Sequence, residues 1–419
     1  MAFGREFGNP RTGLSRPFRD VRRGADRRRA LEFRGGRMRR RSQRPSQCRD
    51  AGPSTVSRRA VFSNVLALAT VTLVPSALST PARAQEAGAG PRTGASFGAA
   101  AGAAPTTTTV PGGRPGPKPG TWLVLLGTRG GPGIEASHAQ TSSAVVVDGR
   151  PYLIDCGYGA LRNLAASNVG FLQIGTVFFT HLHDDHTGDL AALLSYQWTG
   201  GKTTATDAYG PYGTSHMVQA AVEFFRANVE IRTADEGRTV DANKQFHGHD
   251  VPASDSPVQI FKDDRLTVTA VENTHYPARS KAKMPYRSIA LRLDTQQRSI
   301  VFSGDTAYSA NIVKLARNAD LFVCEIIDST VLEQVRERAQ EEAAKGNSAS
   351  VARHVADTHS SPADVARMAT EAHVKTVVLY HQVGGAAGSL SFPVSGFIDA
   401  IHAAGFSGEV VVGQDLMVL

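Results

Sequence analysis

Cysteine is scarce in this sequence, which has three among 419 residues. Cys48 lies in a basic N-terminal leader, whereas Cys156 and Cys324 lie at the ends of apolar strand candidates. We expect these two to be buried thiols, because a free cysteine behaves as a small apolar side chain. A disulfide between them stays open as an alternative if the compartment is oxidising.

The sequence also lacks an unbroken hydrophobic run of membrane-spanning length. Its most apolar stretch, 60–78, is interrupted by Pro75 and falls short of the roughly 18 residues that a spanning helix needs. Arg58 and Arg59 precede this stretch, and a small-x-small cleavage pattern ends at Ala84. We therefore predict a secretory signal of the twin-arginine type, cleaved near Ala84, and a periplasmic or secreted protein with no stable membrane anchor.

An uncleaved anchor is the competing interpretation of the same stretch. The leader is residues 1–84 if translation begins at Met1. A start at Met38 is an alternative, because it would give a leader of more ordinary length.

Basic charge is not in excess outside the leader. Residues 1–84 carry 19 Lys and Arg against 5 Asp and Glu, a net charge of +14, while the whole chain is at +8. Residues 85–419 are therefore at −6. Because the part of the chain that would meet a ligand is mildly acidic, we expect no nucleic acid as a partner.

Residues 85–120 are poor in large apolar side chains and rich in Gly, Ala, Pro and Thr. Such a segment cannot bury enough surface to offset its ordering entropy, so we predict a disordered linker. The folded body is then residues 121–419, a single domain large enough for a sizeable core.

A dinucleotide-binding pattern is absent from the start of this body. Strand candidate 122–126 leads into the glycine loop 127–133, but a second strand candidate, 143–147, and the Asp148-Gly149 turn follow instead of a helix. This order predicts a mixed or antiparallel sheet, with the glycine loop lining the functional site.

The most ligand-dense stretch is 180–189, THLHDDHTGD, which follows an apolar strand candidate. Side chains two residues apart in an extended segment share a face, so His181 and His183 can bind one cation together. Asp185 and His186 follow where the chain turns, and they are better placed for a second cation. Imidazole and carboxylate ligands suit zinc.

This H-x-H-x-D-H pattern resembles the metallo-β-lactamase superfamily, whose further motifs follow in the order that the superfamily requires. They are Asp155 in DCGYG, His275 in ENTHYP, Asp305 in SGDT and His381 in YHQ. The resemblance implies an α/β fold, a four-layer αββα sandwich of two mixed β-sheets flanked by helices. It also implies that Asp155 supports the histidine loop from behind.

By this resemblance, two Zn²⁺ ions bind per chain. His181, His183 and His275 would hold one, Asp185, His186 and His381 the other, and Asp305 would bridge them. A hydroxide shared by the two metals would be the nucleophile. Asp185 would orient that hydroxide, and His359 would act as general acid towards the leaving oxygen.

Within the superfamily, His359-Ser360-Ser361 before an alanine-rich helix is similar to the ribonuclease Z and arylsulfatase/phosphodiesterase branch. The tRNA-processing endonuclease has a long tRNA-binding arm between the third ligand and the bridging aspartate, whereas 30 residues separate His275 from Asp305 here. We therefore expect an exported dinuclear zinc hydrolase that acts on a small phosphodiester or aryl sulfate ester, rather than on tRNA.

Two other functions stay open. A lactonase or other carboxylic-ester hydrolase would use the same metals with a tyrosine near the oxyanion, for which Tyr158, Tyr196 and Tyr276 are candidates. A binding or redox protein on the same fold is less favoured, because an iron-binding version should replace one histidine by a carboxylate. A homodimer is a further option that the sequence does not decide.

The remaining predictions concern side chains without a metal role. Segment 195–201 is expected to be an aromatic loop in a pocket wall. His247 and His249 have the spacing of ligands, but no carboxylate or strand is adjacent, so we favour a surface loop that faces substrate. Five histidines are assigned to the surface or core by default: His138, His216, His354, His373 and His402.

Overall fold

The computed structural model describes residues 119–384 and 394–419. The predicted leader, its cleavage site and all but the last two residues of the predicted linker lie outside the described residues, so export and processing stay predictions. None of the helices in the two described ranges has the length and apolar character needed to cross a membrane.

The first sheet has six strands in chain order. They are β1 (Thr121–Gly127), β2 (Ser142–Val147), β3 (Arg150–Ile154), β4 (Thr176–Phe178), β5 (Thr206–Gly210) and β6 (Phe246–Asp250). Strands β1 to β3 are antiparallel, and β3 to β6 are parallel. Asp148 and Gly149 both have positive φ in the β2–β3 turn, as a tight hairpin with right-handed strand twist requires.

The second sheet has seven strands and repeats this change from antiparallel to parallel. They are β7 (Val258–Lys262), β8 (Leu266–Glu272), β9 (Ile289–Thr295), β10 (Ser299–Phe302), β11 (Leu321–Ile327), β12 (Thr376–Val383) and β13 (Glu409–Val412). Strands β7 to β10 are antiparallel, and β10 to β13 are parallel. After β13 the chain reaches the first sheet, where Leu419 exchanges two 2.9 Å backbone hydrogen bonds with Leu123.

Twelve helices lie within the described residues, together with a 3₁₀ turn at Phe171–Gln173. They are α1 (Ala160–Ala166), α2 (Asp184–Thr187), α3 (Leu190–Thr199), α4 (Thr214–Phe224), α5 (Arg226–Glu236), α6 (Ala242–Gln245), α7 (Ala278–Lys281), α8 (Ala310–Leu315), α9 (Ser329–Ala344), α10 (Val351–Thr358), α11 (Pro362–Ala372) and α12 (Val394–Ala403).

Three hydrophobic cores define the layers. One lies between the sheets, where Phe178 and Leu123 meet Phe302 and Val323. The other two lie between the outer face of each sheet and its helices, for example around Trp198 in the first half and around Met368 in the second. This arrangement confirms the predicted α/β fold, a four-layer αββα sandwich of two mixed sheets.

The two cysteines that the structure describes, Cys156 and Cys324, are buried and free. The prediction of buried thiols is therefore confirmed.

Two local predictions are wrong. Segment 195–201 is not an aromatic loop, because α3 continues to Thr199 and places the Trp198 side chain in the core. His247 and His249 are not in a loop but in β6, where His249 stacks on Tyr209 and its Nε2 lies 2.8 Å from Oδ1 of Asp207. Strand pairing and a local carboxylate therefore account for His249.

Candidate metal centre

The predicted ligands come together where strands of both sheets end. On the side of the first sheet, the loop after β4 carries His181 and His183, and the short helix α2 that follows carries Asp185 and His186. The second sheet contributes His275 after β8, Asp305 after β10 and His381 within β12. Because the carboxyl ends of these strands meet at one edge of the sandwich, residues 200 positions apart in sequence become neighbours.

Asp155 fixes the histidine loop. Its carboxylate accepts hydrogen bonds from the backbone N–H of Thr180 at 2.8 Å and from the Thr180 hydroxyl at 2.9 Å. It also accepts a 2.9 Å hydrogen bond from Nδ1 of His186, which leaves Nε2 of that ring free to face the site. Asp155 thus lies behind the loop, as the resemblance predicted.

The first group of donors consists of His181, His183, His275 and Asp305, whose ligand atoms all lie within 4.8 Å of one another. Nδ1 of His183 lies 3.1 Å from Nε2 of His181 and 3.2 Å from Nε2 of His275. Burial lowers the pKa of His181 and His275 well below the ordinary value, so both rings are neutral and have a nitrogen lone pair to offer.

The second group consists of Asp185, His186, Asp305 and His381, again within 4.8 Å. Nε2 of His381 lies 3.0 Å from Oδ2 of Asp305 and 3.2 Å from Oδ2 of Asp185. The other oxygen of Asp305 lies 3.1 Å from Nε2 of His186. Asp305 therefore belongs to both groups, the position expected of a bridging ligand.

The glycine loop after β1 completes the wall of this second group. The backbone N–H of Gly131 donates a 2.8 Å hydrogen bond to Oδ2 of Asp185. Gly130 lies so close to His381 that a Cβ there would be 2.5 Å from Nδ1 of the ring. The prediction that the glycine loop lines the site is confirmed.

A β-bulge aims His381 into the site. The β11–β12 register pairs Glu325 with Tyr380 and Ile326 with Gln382, so His381 is the extra residue. Its backbone φ is 41°, in the left-handed region that non-glycine residues seldom occupy. A bulge re-aims one side chain without ending the strand, which suits a ligand.

The donor set fits bound metal. Nε2 of His186 and Oδ1 of Asp305 are buried and, although 3.1 Å apart, neither forms a hydrogen bond of good geometry within the described residues. Such atoms carry a desolvation cost that a cation would offset. Burial alone would lower the pKa of His186, but the neighbouring carboxylates, above all Asp305, raise it to about 10. A metal ion would take the place of that proton.

Glu325 holds the candidate general acid. This glutamate is fully buried in β11, and its Oε2 accepts a 2.8 Å hydrogen bond from Nδ1 of His359. Its other oxygen accepts from the backbone N–H of Thr306. Burial lowers the pKa of His359, but the Glu325 carboxylate outweighs burial and raises it. Glu325 was not among the predicted site residues, although a single carboxylate inside the apolar run 321–327 was a signal that could have found it.

His354 is also at the site, contrary to its default assignment. The ring, in α10, lies 4.9 Å from the ring of His275 and 5.8 Å from that of His183. Burial, and then the nearby His359, lower the pKa of His354 to about 4, so the ring is neutral. No sequence motif includes His354, because it reaches the site only through the position of α10.

These side chains surround a cavity of about 550 Å³. Its polar lining includes His183, Asp185, Asp305, His354, His359 and Lys283. Apolar lining comes from Pro132, Met284, Val351, Val355 and Val383. The cavity therefore combines a polar, histidine-rich floor with apolar walls, as many small-molecule and cofactor sites do.

Residues 150–382 match the family model described as a β-lactamase superfamily domain. The chain is similar to ribonuclease Z of Mycobacterium avium (strain 104), with 29% identity over 300 residues that cover 70% of this chain and 96% of that protein. It is similar to ribonuclease Z of Mycobacterium sp. (strain KMS), with 29% identity over 272 residues, or 62% of this chain and 83% of that protein. Among solved structures it is similar to human tRNase Z, short form, with 20% identity, coverage of 71% and 98%, and a TM-score of 0.48.

These relatives correct two predictions. The expected small phosphodiester or aryl sulfate ester, with its carboxylic-ester alternative, is wrong, because the relatives are named as ribonucleases. The expectation of no nucleic-acid partner is wrong for the same reason. The physical error was to use the net charge of residues 85–419, which averages over the surface and does not describe the charge beside the cavity. Segment 277–287, at the cavity, carries four cations and no acidic residue.

The family match, the donor groups and the fold agree. The matched segment spans more than half of the chain and contains every predicted ligand from His181 to His381. The chain is therefore a hydrolase of the metallo-β-lactamase fold, has a metal-binding centre and belongs to the β-lactamase superfamily, with relatives among the ribonuclease Z proteins.

Proposed function

We propose that this protein is a ribonuclease that hydrolyses a phosphodiester bond in RNA with two bound zinc ions. The observation that carries the proposal is the position of Asp305, shared by two groups of donors beside the Glu325–His359 pair. This combination offers places for two cations and one proton donor around a single cavity. The names of the curated relatives support RNA as the substrate.

The two donor groups would hold one ion each. His181, His183 and His275 would bind the first, Asp185, His186 and His381 the second, and Asp305 would contact both. When bound, such a pair of cations supplies an activated nucleophile and neutralises charge that develops on phosphate oxygens.

Protein groups perform the remaining steps. Asp185, fixed by the Gly131 N–H, is placed to orient a water molecule. The water releases one proton to solvent, and its oxygen bonds to phosphorus as the bond from phosphorus to the departing ribose oxygen breaks. His359 gives that oxygen a proton from Nε2, because its Nδ1–H is committed to Glu325. The products are one phosphate monoester end and one hydroxyl end.

A cleavage assay tests this proposal. The full-length, zinc-loaded protein is incubated with an end-labelled tRNA precursor that carries a 3′ trailer, and the product ends are identified by mass spectrometry. We expect cleavage by the wild type and a loss of about 10²-fold or more in His359→Ala. His402→Ala, an exposed histidine on α12, is the matched control and should cleave normally. Intact RNA after incubation with the wild type would overturn the proposal.

A further inference from the structure

The metal cavity continues into a second lobe. This lobe, of about 480 Å³, shares His183, Tyr276 and Met284 with the metal cavity and extends to Gly213, His216 and Tyr286. A substrate with its reacting atom at the donor groups can therefore extend into a neighbouring space that the proposed chemistry does not use.

One segment of chain, 277–287, contributes to the lining of both lobes and is strongly basic. It carries Arg279, Lys281, Lys283 and Arg287 and no acidic residue. Residues 85–419 have a net charge of −6, so this segment beside the cavity has the opposite charge to the body as a whole.

Three of these four cations are held by acidic partners. Arg279 forms a 3.0 Å ion pair with Asp357, and Lys281 and Arg287 lie 2.6 Å and 3.7 Å from Glu272. Lys283 has no ion pair within the described residues, is exposed, and lines the metal cavity. The segment thus presents one uncompensated ammonium group to whatever enters the cavity.

The lobe beyond this segment is aromatic. Tyr286 is 45% exposed, and its ring centroid lies 6.0 Å from that of Tyr212, which is 55% exposed. Gly213 permits this arrangement, because a Cβ there would lie 2.9 Å from the Tyr286 ring. The guanidinium of Arg287 donates to the carbonyls of Met284 and Tyr286 at 2.9 Å and 2.8 Å, which fixes the backbone under the ring.

We propose that Lys283 and Tyr286 form a nucleotide subsite beside the cleaved bond, with Lys283 on a neighbouring phosphate and Tyr286 stacked on a base. This proposal rests on the proposed function, since it takes RNA as the substrate. A single strand needs this combination of one cation for the backbone and an exposed aromatic face for a base. The subsite would bind with little dependence on base identity, because every base has a π-face.

Binding and cleavage are measured separately, so that the two proposals can fail separately. Binding of a fluorescein-labelled tRNA precursor with a 3′ trailer is followed by anisotropy in the zinc-loaded His359→Ala protein, where cleavage is slow. Lys283→Gln and Tyr286→Ala are each added to this background. The matched controls are Lys314→Gln, an exposed lysine on α8, and Tyr196→Ala, an exposed tyrosine on α3, neither of which lines the two lobes.

We expect Tyr286→Ala to weaken RNA binding about tenfold or more, and Tyr286→Phe, which keeps the ring, to restore most of that loss. Lys283→Gln should lower the slope of log affinity against log salt by about 0.7, the loss of one phosphate contact on a single strand. Both controls should bind RNA as the background protein does.

Equal binding by the subsite variants and the controls would overturn this inference, even if the wild type cleaves RNA. Absence of RNA binding in the background protein would overturn it too. If binding depends on Lys283 and Tyr286 but the wild type leaves the RNA intact, the subsite is supported and the proposed ribonuclease activity is not.

Discussion

Glu325 lies in β11 with apolar residues on both sides in sequence, and its burial would be costly without partners for both carboxylate oxygens. The Thr306 N–H and the His359 ring supply those partners. Glu325, which belongs to neither donor group, thereby fixes the orientation and charge of the candidate acid. Glu325 is a positioning residue in this account.

Replacing this carboxylate should separate turnover from binding. In Glu325→Gln we expect kcat to fall by about 10²-fold, because His359 loses the charge that favours its protonated form. KM should change little, since Glu325 belongs to neither donor group. Metal analysis monitors the contact between Oε2 of Glu325 and Nδ1 of the predicted ligand His381, 3.7 Å apart. Steady-state kinetics with RNA and metal analysis test this, with the exposed Glu341→Gln on α9 as control. A rise in KM with unchanged kcat would contradict the positioning role.

The close approach of Gly130 to His381 gives a second test at this scale. A Cβ at residue 130 would lie 2.5 Å from Nδ1 of His381, so the ring must move in Gly130→Ala. We expect the weaker of the two zinc affinities to fall about 10- to 100-fold, the usual effect of disturbing a group that orients a ligand. Gly133→Ala, where nothing lies within 4 Å of the added Cβ, is the matched control in a zinc titration. Equal zinc affinities in the two variants would contradict the assignment of His381.

Among the elements, β3 and the β7–β8 turn join the two sheets through one carboxylate. Asp263 accepts a hydrogen bond from the Tyr152 hydroxyl at 2.5 Å and ion pairs with Arg150 at 3.1 Å. Burial raises the pKa of Asp263, but the hydroxyl and the N–H groups of Arg265 and Leu266 outweigh burial and lower it.

The sign of this shift gives a pH dependence for stability. A carboxyl with a lowered folded-state pKa stabilises the fold above its unfolded pKa of about 3.9, and this stabilisation is lost as the pH falls through the folded value. Asp263→Asn should therefore lower the free energy of unfolding by about 1–2 kcal/mol at pH 7. The difference from wild type should shrink below about pH 4.

Urea unfolding at several pH values measures this difference. Asp264→Asn is the control, because its side chain is 68% exposed although it also pairs with Arg150. A difference between Asp263→Asn and wild type that stays constant down to pH 3 would contradict the account.

The elements also show what the sequence could predict. The strands before Asp155, His181 and Asp305 were predictable because each apolar run is followed within three residues by a polar residue of a site motif. The extension of α3 through Trp198 was not predicted, although buried positions 190, 193, 194, 197 and 198 follow a helical period. The bulge at His381 had no local signal, because its cause is the register with β11.

His354 shows a different limit. Its approach to His275 depends on where α10 is placed in the fold, and no spacing within the sequence encodes that placement. The roles of the predicted ligands remain predictions in the same sense. The structure brings their donor atoms together, and metal analysis of variants must assign them.

At the scale of the molecule, each sheet contributes ligands, so bound metal would connect the two halves of the sandwich. The first sheet supplies His181, His183, Asp185 and His186, and the second supplies His275, Asp305 and His381. Bound ions would thus stabilise the native state, in which both sets of donors are assembled, over the unfolded chain.

Removal of metal should therefore lower the thermal unfolding midpoint. For two tightly bound ions we expect a decrease of roughly 10 °C or more after treatment with a chelator, recovered when zinc is added back. Asp305→Ala, which lacks the residue common to both donor groups, should show much less response to either treatment. Calorimetry measures the unfolding midpoints of the chelator-treated protein, the zinc-restored protein and Asp305→Ala. Identical wild-type midpoints with and without zinc would contradict metal binding at this centre.

The most direct test of the whole account is the rate of RNA cleavage as a function of zinc. We would measure single-turnover cleavage of the tRNA precursor by full-length wild type and Asp305→Ala, first metal-free and then with increasing zinc. The account predicts no cleavage without metal, cleavage by the wild type that rises and saturates with zinc, and no recovery in Asp305→Ala. Cleavage by the metal-free protein, equal rates in the two proteins, or intact RNA at saturating zinc would contradict it.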